Sequence, residues 1–336
     1  MAGRLLIDQS VRDAIEGSDT DALLVGVDRM CESKAWQDLV DLRGLLAEAG
    51  TRGKQLWGID ENIRYRMALE APGAWAGPVL NEGAARHTLG PLPEVAASTH
   101  DWAELDPHLA PGPIRAVFAQ ERVIRGEDLE GAEVDRHVLE IPLKLARWEP
   151  EYQGATYHPD RVETPPPLLP PMAEVEPRSD PDRSDRRDLA AESPSVATAL
   201  ASLAATWVDE SNGRCLVVAA EGGVDGAMAV FGLRRAMAAE ISPATGFAWM
   251  AWAAASGGAY GRRKGAAAGR FAAWWAAAAV SDLEFPCPAD ELGKSIAGLR
   301  WFAWSDLAAD TGWSFRLAIH DPDEKVTWAI SAGDAV

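Results

Sequence analysis

The amino-acid sequence predicts an α+β protein in three parts. These are an N-terminal all-α domain of helical-repeat type over residues 1–148, a Pro-rich linker over 149–195 and a C-terminal α+β domain over 196–336. Three patterns lead to this prediction. Apolar residues recur at helical spacing in the first part, prolines concentrate in the second, and aromatic and β-branched residues partly alternate near the C-terminus.

The N-terminal part is a series of short segments that each carry one apolar face and are separated by Gly and Pro. In one of them, Leu39, Leu42 and Leu46 lie at helical spacing. Such a series is typical of HEAT or armadillo arrays. Because the sequence shows no fixed period, a globular helical bundle is the alternative.

The linker contains PPPLLPPM at 165–172 and a mixed-charge stretch, EPRSDPDRSDRRD, at 176–188. Proline removes backbone donors and fixes φ, so this segment is expected to hold neither a regular helix nor a central strand. An alternative interpretation is that PPPLLPP is a polyproline ligand for an aromatic groove.

The C-terminal part is predicted to form an antiparallel sheet covered by helices, including an Ala/Gly-rich helical hairpin between Pro243 and Leu283. Small residues recur every fourth position in that hairpin, at Gly261, Gly265, Gly269, Ala273 and Ala277, which predicts two helices packed backbone to backbone. The other predicted helices are Ser195–Asp209, Val224–Ile241 and Ala289–Leu299, and the strands are Arg214–Ala220, Arg300–Trp304, Trp313–His320 and Lys325–Ile330.

Charge and cysteine content narrow the function classes. A net charge of -19 over 336 residues disfavours nucleic acid and anionic lipid as partners. The three cysteines are far apart, which is typical of a reducing cytoplasm, and acidic residues near the N-terminus are unlike an export signal. A membrane hairpin is the alternative for the uncharged run of about 18 residues from Ala244 to Gly261.

One candidate site stands out, a Gly-rich turn with basic side chains that feeds a helix N-terminus. Free backbone N–H groups and the positive end of the helix dipole suit a phosphate or carboxylate. Cations at that position oppose the dipole, so we expect an acidic ligand, or an acidic surface of this or another chain, to lie there. The predicted ligand-binding residues are Gly258, Gly261, Arg262, Arg263, Lys264 and Arg270.

No other motif predicts chemistry. The histidines His87, His100 and His108 lack metal-ligand spacing, and no catalytic signature is found, so we expect no metal, no cofactor and no catalytic residue. Of the 14 tryptophans, eight lie beyond residue 240, where most are expected in the core and a few are candidates for a pocket or an interface.

Three stretches carry a resemblance: IRYRMALEAPGAWAGPVL at 63–80, ERVIRGEDL at 121–129 and ASGGAYGRRKGAAAGRFAAWWAAAA at 255–279. Together they resemble an uncharacterised family of hypothetical proteins from high-GC actinobacteria. The resemblance implies a bacterial cytoplasmic protein and transfers no activity.

The leading functional hypothesis is a non-enzymatic scaffold or adaptor that binds another protein through its acidic helical surface and through the basic turn with its tryptophans. The alternative is an enzyme or sensor that binds a phosphorylated or carboxylated small molecule between Gly258 and Arg270.

Overall fold

The computed structural model describes residues 7–177, 189–307 and 312–335. The chain divides into two compact units that are not consecutive in sequence. The N-terminal unit combines residues up to 122 with 133–138 and 155–163, and the C-terminal unit combines 123–132 and 139–154 with residues from 164 onward. The three-part division predicted from the sequence stays a prediction, because only the folding of each part on its own would test it.

Helices with apolar inner faces build the N-terminal unit. Asp8 and Asp19 start the first two by accepting hydrogen bonds from the backbone N–H groups of Val11 and Ala22. The helices of this unit are α1 (Gln9–Gly17), α2 (Thr20–Glu32), α3 (Trp36–Thr51), α4 (Trp57–Glu70), α5 (Gly73–Asn81), α6 (Leu92–Ala97), α7 (Trp102–Leu105) and α8 (Pro113–Ile124), the last two residues of α8 belonging to the C-terminal unit. Strands β1 (Thr156–Tyr157) and β2 (Val162–Glu163) form a small antiparallel pair. Whether these helices form a true repeat array stays a prediction.

Among the described residues, the C-terminal unit contains one antiparallel sheet of six strands in the order β3-β5-β6-β7-β8-β4. The α+β class and the antiparallel sheet are therefore confirmed. The strands are β3 (Ala173–Val175), β4 (Arg214–Glu221), β5 (Ala236–Ile241), β6 (Arg300–Ser305), β7 (Gly312–Asp321) and β8 (Val326–Ala335). The helices are α9 (Leu189–Glu192), α10 (Pro194–Ser202), α11 (Ala205–Asp209), α12 (Val224–Val230), α13 (Pro243–Ala255), α14 (Ala266–Val280) and α15 (Ala289–Gly298).

The two faces of this sheet bury different cores because successive side chains of a strand point to opposite sides. Along β7, Phe315, Leu317 and Ile319 join the larger core with α13 and α14, and Ala318 joins the smaller core under α12. Most of the late tryptophans are buried, as expected; those with under a tenth of their surface exposed are Trp249, Trp274, Trp301, Trp304 and Trp328.

The hairpin of α13 and α14 is as close as the small residues predicted. A side chain at Gly269 would collide with the Ala251 carbonyl oxygen and would lie 2.9 Å from the Ala255 Cβ atom. Only part of the predicted glycine series lies on the helix, however, because α14 begins at Ala266. Gly261 is in the preceding turn, and Gly265 is the cap, with φ 96°.

Two further expectations need revision. The predicted helix Val224–Ile241 is wrong beyond Val230: Ala236–Ile241 is strand β5, which pairs with β6 inside the sheet. Ala236 and Ala238 of this strand are buried in the smaller core, where Ala238 lies opposite Trp304 of β6. Within the predicted linker, Ala173–Val175 forms edge strand β3, and its stretch 178–188 lies outside the described residues.

Candidate functional site

The Gly-rich turn between α13 and α14 is tightly folded onto the end of the sheet. Gly258 has φ 68°, and a side chain there would collide with the Asp334 carboxylate and approach the Trp207 ring at 3.2 Å. Glycine is therefore required by both conformation and space. The close packing brings the backbone of the turn within reach of acceptors on the residues that follow α11 and on β8.

Those acceptors already bind the N–H groups of the turn. Ala259 donates to Asp334 Oδ2 (2.6 Å), Tyr260 to Ser211 Oγ (3.0 Å) and Arg262 to Glu210 Oε2 (3.1 Å). Three backbone N–H groups of the turn are thus hydrogen-bonded within the chain, two of them to carboxylates.

Glu210 also pairs with a basic side chain of the turn. Lys264 Nζ donates to Glu210 Oε1 at 2.5 Å. The Lys264 hydrogen bond and the Arg262 N–H lower the pKa of the Glu210 carboxyl. Because this pair is exposed, it contributes little to stability.

Arg270 lies apart from the turn, inside the C-terminal unit. Its guanidinium forms a two-pronged ion pair with Glu149, with both N–O distances 2.7 Å, and both side chains are fully buried. It also donates to the carbonyl oxygens of Pro142 (2.9 Å) and Lys144 (3.2 Å). All three guanidinium nitrogens thus donate hydrogen bonds within the fold, which gives Arg270 a structural role.

The Glu149 carboxylate is equally well bonded. It accepts hydrogen bonds from the Ala146 N–H (2.9 Å), the Tyr152 hydroxyl (2.7 Å) and Trp274 Nε1 (3.1 Å). Burial raises the pKa of Glu149, but the hydrogen bonds and charge of Arg270 outweigh it, and the net pKa lies below the ordinary value. Burial also raises the pKa of Tyr152 well above its usual range.

Arg263 of the basic turn lines a cavity of about 320 Å³, here called the Arg263 cavity. Ala248 and Ala251 of α13 form an apolar wall, and the other lining residues include Glu151, Tyr152, Trp252 and part of the Pro-rich segment. Ala266, the first residue of α14, also lines the cavity, so the positive end of the helix dipole faces it. Of the predicted basic residues, Arg263 is the one that lines this cavity.

A second candidate site lies in the N-terminal unit, and the sequence analysis did not identify it. It is a cavity of about 560 Å³, here called the Trp57 groove, at the start of α4. Trp57 is 56% exposed, and its ring lies 4.4 Å from the His87 ring, centroid to centroid. Leu24, Tyr65, Leu89 and Asp160 are among the other residues that line the groove.

The His87 side of the Trp57 groove is held in place by Glu61 of α4. The Glu61 carboxylate accepts hydrogen bonds from the backbone N–H groups of Arg86 (2.9 Å) and His87 (2.6 Å). These two hydrogen bonds hold the backbone beside the His87 ring against α4. The sequence pattern could not identify this groove, because Trp57 lies at a helical position where a core residue is equally expected.

The described residues contain no group of three or more His, Cys, Asp or Glu side chains that could hold a metal ion. Within the same part of the chain, no helix is both long and apolar enough to cross a membrane.

Comparison with known proteins places the chain in a family. Residues 21–335 match the family of unknown function DUF6183, and the chain belongs to that family. This confirms the expected resemblance to an uncharacterised family. Neither the curated proteins nor the solved structures include a match to the chain.

Proposed function

We propose that this member of the DUF6183 family is an interaction protein that receives a partner polypeptide on the Trp57 groove. The observation that supports this function is the convergence of exposed apolar side chains. Trp57, Leu24 and Leu89 are 56%, 37% and 39% exposed, and all three line the same groove. Single exposed apolar residues are ordinary, but a rimmed cluster of them is typical of an interaction site.

The geometry also suits a binding hot spot. Tryptophan is enriched at hot spots because it buries a large rigid surface with few rotatable bonds. Trp57 packs on the His87 ring, and the His87 backbone is bonded to Glu61, so the tryptophan has an ordered neighbour that lowers the conformational entropy lost on binding. We infer that a large apolar side chain of the partner packs between Trp57 and the two leucines.

Charge further restricts the partner. The described residues that line the groove include one carboxylate, Asp160, and no Lys or Arg. An anchor flanked by neutral or basic side chains fits this lining better than an acidic one.

The test compares two neighbouring substitutions on α2. Leu24→Ser alters the groove, whereas Val25→Ser alters an exposed residue, 49% exposed, that does not line it. We expect Leu24→Ser and Trp57→Ala to weaken capture of the partner from the native lysate, the latter by about 30-fold, since a hot-spot residue contributes about 2 kcal/mol or more. Val25→Ser is expected to capture as the native chain does. A partner that binds all variants equally, or no partner at all, would refute the proposal.

A second candidate function is favoured by the position of Arg263. A phosphorylated or carboxylated small molecule would place its anionic group near Arg263 and the start of α14, and its apolar part on the alanines of α13. This is the enzyme or sensor alternative, now confined to the Arg263 cavity because Arg270 is buried elsewhere.

A thermal-shift screen against nucleotides, sugar phosphates and organic acids tests this alternative. A ligand at about 100 times its dissociation constant adds roughly 2.7 kcal/mol of stability. We expect Arg263→Ala to abolish the shift and Arg300→Ala, which removes a distant exposed arginine paired with Glu240, to retain it. A shift that survives Arg263→Ala places the ligand elsewhere.

A further inference from the structure

The Pro-rich segment from Thr164 to Met172 belongs to the C-terminal unit and packs against its larger core. Five prolines fall between 165 and 171, and the described chain has no helix or strand between Glu163 and Ala173. Proline fixes φ near about −65° and keeps its neighbours extended, so this composition favours a polyproline II helix. Leu169 and Met172 are partly buried against the larger core, whereas Leu168 is 88% exposed.

The surface beneath this segment is made of tryptophans. The rings of Trp252 and Trp313 stack with centroids 5.1 Å apart, and Trp207 packs edge-on against both, at 6.1 and 6.2 Å. Trp252 Nε1 donates a hydrogen bond to the Thr164 carbonyl oxygen at 3.0 Å. An indole N–H therefore binds the backbone of the Pro-rich segment.

The segment does not fill the space around it. The Arg263 cavity lies on one side, and a cavity of about 430 Å³ lies on the other, lined by Trp249, Trp252 and Trp313. Thr164, Pro167 and Trp252 line both cavities, so the segment crosses between them. Room for a longer or bulkier extended chain remains beside it.

These features match the physics by which aromatic grooves bind polyproline. A polyproline II helix makes no internal backbone hydrogen bonds, so its carbonyl oxygens stay free to accept from an indole N–H. Its rings and apolar side chains pack on flat aromatic faces at little entropic cost, because the helix is already formed before binding.

We propose that the surface formed by Trp249, Trp252 and Trp313 is a binding groove for an extended proline-rich segment of another protein, and that residues 164–172 occupy it as an internal competitor. This site is independent of the Trp57 groove. An attached segment competes at a millimolar effective concentration, so an external ligand binds weakly until the internal one leaves.

The test uses a chain in which residues 164–172 are replaced by nine Gly and Ser residues. It is titrated with the labelled synthetic peptide TPPPLLPPM, and fluorescence anisotropy is measured. We expect binding at least tenfold tighter than to the native chain, and no comparable binding of the peptide TAAALLAAM.

Tryptophan substitutions in the replaced chain locate the binding. Trp252→Phe keeps an aromatic ring but removes the N–H donor, so it is expected to weaken binding severalfold. Trp275→Phe alters a partly buried tryptophan that lines neither cavity and is expected to leave binding unchanged.

The proposal is overturned if the replaced chain folds, as judged by circular dichroism, and yet binds neither peptide or both equally. If the replacement prevents folding, Leu169→Ser with Met172→Ser loosens only the apolar anchors of the segment. That variant is expected to bind TPPPLLPPM more tightly than the native chain, and unchanged binding contradicts the proposal.

Discussion

Arg270→Met is expected to destabilise the C-terminal unit by about 3–5 kcal/mol, because it leaves the buried carboxylate of Glu149 without its counter-ion. Methionine fills most of the volume of arginine, so the loss of stability comes from the missing charge and hydrogen bonds more than from a cavity. Guanidinium denaturation followed by tryptophan fluorescence measures it. The matched control is Arg300→Met, which breaks the exposed pair with Glu240 and is expected to cost at most about 1 kcal/mol.

The ion pair of Arg270 and Glu149 also makes the free energy of unfolding depend on pH, in a direction that can be stated. In the native chain the pKa of Glu149 is lowered, so its contribution is fully present above the unfolded value, about 4.3, and is lost as pH falls through the folded pKa. Without Arg270, burial is opposed only by the hydrogen bonds from Ala146, Tyr152 and Trp274, so the pKa of Glu149 is expected to rise and protonation stabilises the variant as pH falls. The stability difference between native and Arg270→Met chains should therefore narrow between pH 7 and pH 4. A constant difference contradicts this account.

Gly269→Ala is expected to cost about 1–3 kcal/mol, although alanine is the better helix former by about 1 kcal/mol. The reason is that a methyl group at this position meets the backbone of α13 and forces the two helices apart. Gly298→Ala is the control, since a side chain at the end of α15 meets nothing within 4 Å. If both substitutions change the denaturation midpoint by the same amount, the result contradicts the close packing of α13 against α14 at Gly269.

The sequence predicted the elements whose signals are local. The α13–α14 pair followed from alanine and glycine at every fourth position, and β7 and β8 followed from the partial alternation of aromatic and β-branched residues. Strand β5 was missed because AMAAEI has the composition of a helix. Its place in the sheet comes from its pairing with β3 and β6 and from the burial of Ala236 and Ala238 in the smaller core, which are tertiary contacts.

The candidate site was predictable only in part. The residues from Gly258 to Lys264 do form one turn, as their glycines indicated, but the acceptors that bind it, Glu210, Ser211 and Asp334, are more than 45 residues away in sequence. Arg270 was grouped with that turn because the two are close in sequence. In the structure Arg270 lies in the second turn of α14 and is buried against Glu149, 121 residues earlier. The exposure of Trp57 likewise depends on neighbours that no local pattern specifies.

The interleaving of the two units has a practical consequence for dissecting the protein. Residues 139–154 belong to the C-terminal unit, and Glu149 lies among them. A fragment that begins at residue 196 would retain Arg270 but leave behind the carboxylate that neutralises it, together with the carbonyl groups of Pro142 and Lys144. Truncation at the Pro-rich stretch therefore removes part of the C-terminal core. Loss of a function in a fragment of this kind can result from unfolding, so the loss alone does not locate a binding site.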